Sequence, residues 1–212
     1  PNTFTRNILG RERSKWFRHE RLFKRRRNTR KPTPRLTPDM IVPATTSQGV
    51  AAALGEGELR PDGIDPTPIL PEYDKVAAAR EAIGDDAIGV AEPLLGIPWL
   101  EAMAGCRVQV PEGKSIWPEP PENVDIEAPI LHDPEDPWLR KLLEVLQTVV
   151  AYVDGRYAVS LSHLRGPTDI LIARFGSERF FMLFFERPEL VARLARQCSD
   201  LWRQVVNAER AI

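Results

Sequence analysis

Short apolar runs alternate along this chain with longer segments of helical periodicity, and this alternation limits the folds that are open to it. Ala87–Ala91 and Tyr157–Leu164 have the length and apolar character of buried strands. Apolar residues recur at helical spacing over Pro137–Val153, between the two runs, and from about Pro188 to Ala211, after them. The expected stripes are Leu139, Leu142, Leu143, Leu146, Val149 and Val150 in the first segment and Leu190, Val191, Leu194, Cys198, Leu201, Trp202 and Val205 in the second. A strand–helix–strand–helix order is typical of α/β proteins with parallel strands. The sequence therefore predicts an α/β fold.

Further helices are predicted from periodicity and from their start and stop signals. Residues 11–27 have helical character, and the prolines that begin at Pro32 end it. A helix is expected from about Pro71 to Ile83, and a short one at Gly49–Leu54. The segment EPLLGIPWLEAMAGC, residues 92–106, predicts a turn followed by a short helix.

Prolines and one isolated apolar run predict a loop, a further strand and the start of a helix. Residues 111–137 contain seven prolines, which excludes a helix or a central strand there and predicts an ordered loop. Met40–Ala44 is a short apolar run that predicts a first buried strand. Asp136 precedes Pro137, as expected for an N-cap followed by proline at the first helical position.

The net charge of −1 hides an asymmetry between the two parts of the chain. Residues 1–35 hold 13 Lys/Arg and 2 Asp/Glu, whereas the rest holds 16 and 28. We interpret residues 1–38 as a basic N-terminal arm and residues 39–212 as the folded body. The arm could bind nucleic acid through phosphate contacts. No nucleic-acid motif accompanies it, so docking on the acidic body or on a second subunit is favoured.

The cysteines and the hydropathy pattern point to a cytoplasmic protein. Cys106 and Cys198 lie in unrelated contexts and are expected to be buried free thiols, as is usual in a reducing compartment. The apolar run FFMLFF, Phe180–Phe185, is far shorter than the roughly 18 residues that a membrane span needs. The N-terminal residues show no apolar signal-peptide region, so no secretory signal and no membrane partner are expected.

The stretch HLRGPTDILIARFG, residues 163–176, joins the second apolar run to a helix and carries three polar side chains. Arg165 offers a planar fork of donors suited to a carboxylate, and His163 can transfer a proton or hydrogen-bond a ligand. Asp169 lies four residues after Arg165 and could hold it or contact a ligand. The alternative is that Gly166–Pro167 form a turn and Asp169 caps the following helix, which we favour for Asp169.

Three further side chains are candidates for the same site. Glu92 follows the first predicted strand and is a candidate pocket carboxylate. Trp99 and Trp117 could line the site of a flat ligand, although core packing is the favoured role of each. The three histidines are isolated and provide no metal-ligand spacing, so no metal is assigned to this sequence.

Two blocks of the chain resemble the uroporphyrinogen decarboxylase superfamily. The first is EPLLGIPWLEAMAGCRVQVPEGKSIWPEPPENVDI, with landmarks at Leu95–Gly96 and Pro118–Glu119–Pro120. The second is RYAVSLSHLRGPTDILIARFGSERFFMLFFERPELVARL, with Gly166–Pro167–Thr168–Asp169 and then Pro188–Glu189 before a long helix. Together the similar region covers about residues 72–211.

This resemblance implies a (β/α)8 TIM barrel with the ligand site at the carboxyl ends of its strands. Such barrels typically need about 250 residues, so residues 39–212 are expected to form an incomplete barrel. A half barrel exposes strand edges, and the rest of a barrel or a homo-oligomer is therefore the expected protein partner.

The resemblance also implies a chemistry. It points to a carboxy-lyase-type enzyme that acts on a tetrapyrrole- or corrinoid-related small molecule without a cofactor, with His163, Arg165 and Glu92 as catalytic candidates. Asp169, Trp99 and Trp117 would contact the substrate. The runner-up is a methyltransferase that uses zinc and a corrinoid, and a non-catalytic binding or assembly protein is the alternative outside enzymes.

Two positions depart from the decarboxylase pattern. The tyrosine that the decarboxylases carry six residues beyond the Gly-Pro proline falls on Ala173, and their aspartate falls on Ala87. These departures weaken the strict decarboxylase interpretation and keep the methyltransferase alternative open.

Overall fold

A computed structural model describes residues 47–83, 90–112 and 115–212 of the chain. Seven helices are found in these residues: α1 (Ser47–Leu54), α2 (Leu70–Ile83), α3 (Trp99–Met103), α4 (Pro137–Val153), α5 (Pro167–Phe175), α6 (Ser177–Glu186) and α7 (Pro188–Glu209). Five short strands accompany them: β1 (Gly57–Leu59), β2 (Val90–Ala91), β3 (Arg107–Val110), β4 (Trp117–Glu119) and β5 (Ala158–Val159).

The strands form two separate sheets. In the first, β2 and β5 are parallel, with Val90 opposite Ala158 and Ala91 opposite Val159. Between these two strands the chain passes through α3, β3, β4 and α4, and such a crossover is what parallel pairing requires. The predicted α/β class, with parallel strands separated by helices, is therefore confirmed.

The second sheet is antiparallel and was not predicted. Its strand order is β1-β3-β4, and β4 lies at one edge. Pro118 in β4 is opposite Val108 of β3. Proline lacks the N–H that a second neighbour would need, so an edge position suits it. Over residues 111–112 and 115–136, the described part of the proline-rich segment, the chain forms loop and one edge strand, with neither a helix nor a central strand, as predicted.

The core lies among four helices, in which α4 and α5 each pack on both α3 and α7. Helix α4 begins at the predicted cap, since the Asp136 carboxylate accepts hydrogen bonds from the backbone N–H of Trp138 and Leu139. It ends at Asp154, whose φ of 45° is left-handed and turns the chain toward β5. The buried apolar residues are Leu139, Leu142, Val145, Leu146, Val149 and Val153 on α4 and Leu190, Val191, Leu194, Cys198, Leu201 and Val205 on α7. The stripe of α4 differs from the predicted one at two positions, because Val145 and Val153 are buried whereas Leu143 is only partly buried and Val150 is exposed.

Helices α1 and α2 and the short α3 lie where they were predicted. Two local predictions were wrong. Trp202 was placed on the buried stripe of α7 but is exposed. The strand expected over Tyr157–Leu164 is limited to Ala158–Val159, because the backbone beyond it finds other partners. Ser160 N–H still donates to the carbonyl of Ala91, but Ser162 N–H donates to the Glu209 carboxylate at 3.0 Å.

Several predictions fall outside the described residues: the basic arm of residues 1–38, the helix over 11–27, the strand at Met40–Ala44 and residues 87–89 of the strand expected over Ala87–Ala91. Within the described ranges the sheets are small and no closed barrel is formed. None of the helices there combines the length and the apolar character that a membrane crossing demands.

Candidate functional site

The parallel pairing of β2 and β5 brings together two of the predicted site residues. Glu92 directly follows β2, and His163 lies four residues beyond the end of β5. His163 Nδ1 is 3.7 Å from Glu92 Oε1, and both side chains are open to solvent. Residues that lie far apart in the sequence therefore meet at one edge of the sheet, at the carboxyl ends of parallel strands, where α/β proteins commonly bind ligands.

Arg165 lies next to this pair and contacts a residue that the sequence did not single out. Its Nε is 2.7 Å from Oε1 of Glu101 on α3. Glu101 is 1% exposed, whereas the Arg165 side chain is 29% exposed. The ion pair therefore joins a buried carboxylate to a guanidinium that reaches the surface, and the buried charge restricts where the arginine can lie.

Glu101 is a buried carboxylate whose oxygens accept no hydrogen bond from the described residues. The contact with Arg165 is close but not aligned for one. Burial raises the pKa of the Glu101 carboxyl above its ordinary value, and the nearby positive charge of Arg165 opposes that shift. Buried polar atoms are hydrogen-bonded in most proteins, so an exception of this kind indicates a functional position.

Asp169 has the capping role that was favoured for it. Its Oδ2 accepts a hydrogen bond from the backbone N–H of Gly166 at 3.2 Å, and Pro167 is the first residue of α5. Arg165 pairs with Glu101 and not with Asp169. A contact between Asp169 and a substrate stays a prediction.

A small cleft opens beside Glu92, between α2 and the parallel strands. Its volume is about 150 Å³. On the strand side, the Tyr73 hydroxyl donates a 2.6 Å hydrogen bond to the carbonyl of Glu92, and burial raises the pKa of Tyr73 to about 12. This bond anchors the end of β2 to α2. The cleft is lined by Tyr73, Val76, Ala77, Arg80, Val90, Glu92 and Tyr157.

The turn after Glu92 contains a strained residue. Leu94 has a φ of 41°, in the left-handed region that non-glycine residues rarely occupy. Its side chain is buried at 1% exposure, so packing holds the backbone in this conformation. Such strain costs of order 1–3 kcal/mol and is concentrated near functional sites. The turn carries the chain from Glu92 toward α3 and its Glu101.

The two predicted tryptophans are not part of this cluster. Trp99 is buried, and its ring meets that of Trp138 edge-on at a centroid distance of 6.2 Å. Core packing, the alternative that was favoured for it, is what the structure shows. For Trp117 the favoured core packing was wrong, because its side chain is exposed on β4, in the antiparallel sheet, opposite Gln109. Their predicted roles in substrate binding stay predictions.

Sequence reasoning missed Glu101 and the side chains of the cleft. A signal for Glu101 was present, since it is the one charged residue in the helix WLEAM. A carboxylate in such an apolar segment is either exposed or paired. Arg174 was missed as well: it is buried and donates to the carbonyls of Ala104 and Ala128. Its partners are backbone atoms, which no sequence pattern reveals.

The remaining reactive groups are the two cysteines and the side-chain types that bind metal ions. Cys106 and Cys198 are buried free thiols, as predicted, and burial raises the pKa of each to about 12. Over residues 47–83, 90–112 and 115–212, no three His, Cys, Asp or Glu side chains are grouped closely enough to hold a metal ion.

Comparison with known proteins finds no matching family model, no matching curated protein and no matching solved structure.

Proposed function

We propose that this chain contributes the carboxylate-binding site of an enzyme of the uroporphyrinogen decarboxylase type, acting on a tetrapyrrole-related substrate. The observation that carries the proposal is the cluster at the carboxyl ends of β2 and β5. It contains a partly exposed arginine positioned by a buried carboxylate, and a histidine beside a second carboxylate. A polycarboxylate substrate needs a fixed cation, and decarboxylation needs a proton donor.

Arg165 would hold a substrate carboxylate. Its Nε lies 2.7 Å from Glu101, and its terminal nitrogens make no hydrogen bond within the described residues. A guanidinium has five N–H donors and binds carboxylates in a two-point geometry. Glu101 thereby acts as the positioning residue, since an arginine that is fixed before the substrate arrives loses less entropy on binding.

His163 would supply the proton. When an acetate side chain loses CO₂, the electron pair of the broken C–C bond stays on the methylene carbon, which must then be protonated to give a methyl group. His163 is exposed, lies two residues before Arg165, and has its Nδ1 3.7 Å from Oε1 of Glu92, so an imidazole able to transfer a proton stands beside the proposed carboxylate site. No cofactor enters these steps.

The parallel pair β2/β5 would then be two strands of an incomplete (β/α)8 barrel. Three observations support this: the strands are parallel, a helix-containing crossover joins them, and the polar cluster lies at their carboxyl ends. In the described chain each strand has one partner, so further strands could pair with either free edge.

Binding of uroporphyrin, followed by quenching of its fluorescence, tests the carboxylate site. We expect Arg165→Met to weaken binding at least tenfold and Arg165→Lys to weaken it less, because lysine keeps the charge but not the fork. Arg203→Met is the matched control, since Arg203 is an exposed arginine paired with Asp200 on α7. Equal affinities of the Arg165→Met and Arg203→Met variants would exclude Arg165 from the site.

The reaction itself is tested by release of CO₂ from uroporphyrinogen. Loss of release in His163→Gln with porphyrin affinity retained would support the proton-donor role. A folded chain that binds a corrinoid but not a porphyrin would instead favour the zinc- and corrinoid-dependent methyltransferase. Binding of neither would leave a non-catalytic protein as the better interpretation.

A further inference from the structure

Helix α6 exposes a larger apolar surface than any other helix of the described chain. Phe180 and Leu183 are buried against its neighbours α5 and α7. The remaining large apolar residues of α6 face solvent: Phe181 at 57% exposure, Met182 at 51%, Phe184 at 55% and Phe185 at 81%. Single exposed apolar residues are ordinary, but four on a ten-residue helix form a contiguous patch, which marks an interaction surface.

The patch has a definite layout. At 3.6 residues per turn, Met182 and Phe185 lie in the middle of the exposed face, with Phe181 and Phe184 along one side. The rings of Phe184 and Phe185 meet edge-on at 6.1 Å, and those of Phe180 and Phe181 at 5.6 Å. Aromatic side chains have few rotamers, so such a surface loses little entropy when it is covered.

Two opposite charges border the other side of this face. Arg179 is the third residue of α6, and Glu186 is its last. They are seven residues apart, which is about two turns, so they lie on the same side of the helix. Within the described part of the chain neither forms an ion pair.

This arrangement is self-complementary. If two copies of α6 pack antiparallel about a two-fold axis between Met182 and Leu183, Arg179 of each copy lies beside Glu186 of the other. The same operation places Phe181 against Phe184 of the partner copy. A two-fold interface requires this kind of matching, in which one patch is complementary to itself.

We propose that α6 is a self-association surface through which two copies of this chain pack antiparallel. A membrane surface fits less well, because the charges flanking the patch are mixed, with Glu178 and Glu186 against Arg179 and Arg187, and interfacial helices are rich in basic residues. Ten residues of helix span about 15 Å. One helix pair therefore covers less than a standard interface, and the dimer is weak and concentration-dependent.

Sedimentation velocity of the 212-residue chain over a range of concentrations measures the association. We expect a monomer–dimer equilibrium that Phe185→Ser weakens at least tenfold. Leu131→Ser is the matched control, since Leu131 is equally apolar and exposed but lies far from α6 in the sequence. A wild-type chain that stays monomeric at every concentration would overturn the proposal.

Charge reversal tests the register. Arg179→Glu and Glu186→Arg should each weaken the dimer about tenfold, because each places like charges together twice. The double variant should return to within about threefold of the wild type, since the pair is restored with its signs exchanged. Additive weakening in the double variant would contradict the antiparallel arrangement.

Disulfide trapping gives an independent measurement. Met182→Cys should form a disulfide-linked dimer, because the two copies of residue 182 lie side by side at the axis. Ser177→Cys should not, because its two copies are offset by about 16 Å along the helices, beyond the roughly 7 Å that a disulfide allows. The native thiols are buried and do not interfere.

Linking of both cysteine variants would overturn the antiparallel geometry. Binding of a monomeric chain to phosphatidylcholine–phosphatidylglycerol vesicles, lost in Phe185→Ser, would assign the face to a lipid surface and also overturn the proposal.

Discussion

Two arginine–carboxylate clusters flank β5, and they differ in almost every physical respect. Beyond the carboxyl end of the strand, Arg165 pairs with Glu101, which is buried and has no hydrogen bond. Before the strand begins, Arg156 pairs with Asp74 of α2, and both side chains are about two-fifths exposed. The same two chemical groups are thus used once in a desolvated environment and once in water.

The exposed cluster is rich in hydrogen bonds. The Asp74 carboxylate accepts hydrogen bonds from the hydroxyls of Tyr152, at 2.7 Å, and Tyr157, at 3.0 Å, as well as from Arg156. The Arg156 guanidinium also lies over both tyrosine rings, 5.0 and 5.5 Å from their centroids. These bonds, led by the one from Tyr152, lower the pKa of Asp74.

The difference separates a structural cluster from a site. A solvated pair with every acceptor satisfied joins α2 to α4 and β5 and is worth little energy, because water screens it. A buried ion pair without hydrogen bonds carries a large desolvation penalty, and removal of one partner lowers the stability of the fold strongly because the other charge is left buried and unpaired. Substitutions in the two clusters should therefore have very different effects, and the following predictions run from the largest effect to the smallest.

Removal of the Arg165 charge should have the largest effect. Arg165→Met leaves Glu101 buried and unpaired, and we expect a loss of about 3–5 kcal/mol in the free energy of unfolding at pH 7. Urea denaturation measures it, with Arg203→Met as the control for loss of an exposed arginine. The double variant Arg165→Met/Glu101→Leu should recover much of the loss. A loss below about 1 kcal/mol in the single variant would show that the pair is effectively solvated.

Glu101→Gln should change how stability depends on pH. The pKa of Glu101 is raised in the folded state above 4.5, its ordinary value, so the folded chain holds this proton more tightly than the unfolded chain does. Its contribution to stability is full below pH 4.5 and is lost as pH rises toward the raised folded pKa. The Glu101→Gln variant should not show this loss of stability with rising pH.

Urea titrations at several pH values would reveal it. Glu209, whose pKa is also raised by burial, is present in both proteins, so the difference between their curves isolates Glu101. Parallel curves from pH 4 to 8 would contradict the raised pKa.

Asp74→Asn should have a smaller effect on stability than Glu101→Gln, and the contribution of Asp74 should depend on pH in the opposite direction. The pKa of Asp74 is lowered in the folded state, so its contribution is present above about pH 3.8 and is lost as pH falls through the lowered folded value. We expect a loss of about 1 kcal/mol at pH 7, reduced by added salt, because the carboxylate is exposed. Thermal unfolding at low and high salt checks it; a loss that salt leaves unchanged would argue against screening.

Tyr152→Phe should have the smallest effect. It removes one hydroxyl from the Asp74 carboxylate and leaves the hydrogen bonds from Tyr157 and Arg156, so we expect only a small loss in the free energy of unfolding. Chemical denaturation measures the loss, and Asp74→Asn/Tyr152→Phe completes a double-mutant cycle. A loss as large as that of Arg165→Met would mean that the exposed cluster is as critical as the buried one.

Local sequence patterns were sufficient for most of the helices and for the fold class. Asp136–Pro137 marked the start of α4, Gly166–Pro167 the start of α5, and helical spacing marked the stripes of α4 and α7. Caps and amphipathic periodicity depend on residues within a few positions of one another, so they can be recognised without a fold. Glu92, His163 and Arg165 were recognisable as candidates because each stands next to a predicted strand.

Only the tertiary structure decided which of these side chains meet. Glu101 is separated from Arg165 by more than sixty residues, and no periodicity connects them, yet they form the central ion pair. The antiparallel sheet and the shortening of β5 have the same origin, because in both cases backbone groups hydrogen-bond to residues that are distant in the sequence. Ser162, for example, donates its N–H to Glu209. Helix caps and apolar stripes were determined by the sequence itself, because their physics is local. The pairing of strands and the burial of Glu101 were decided by folding, because they depend on which distant segments exclude water together.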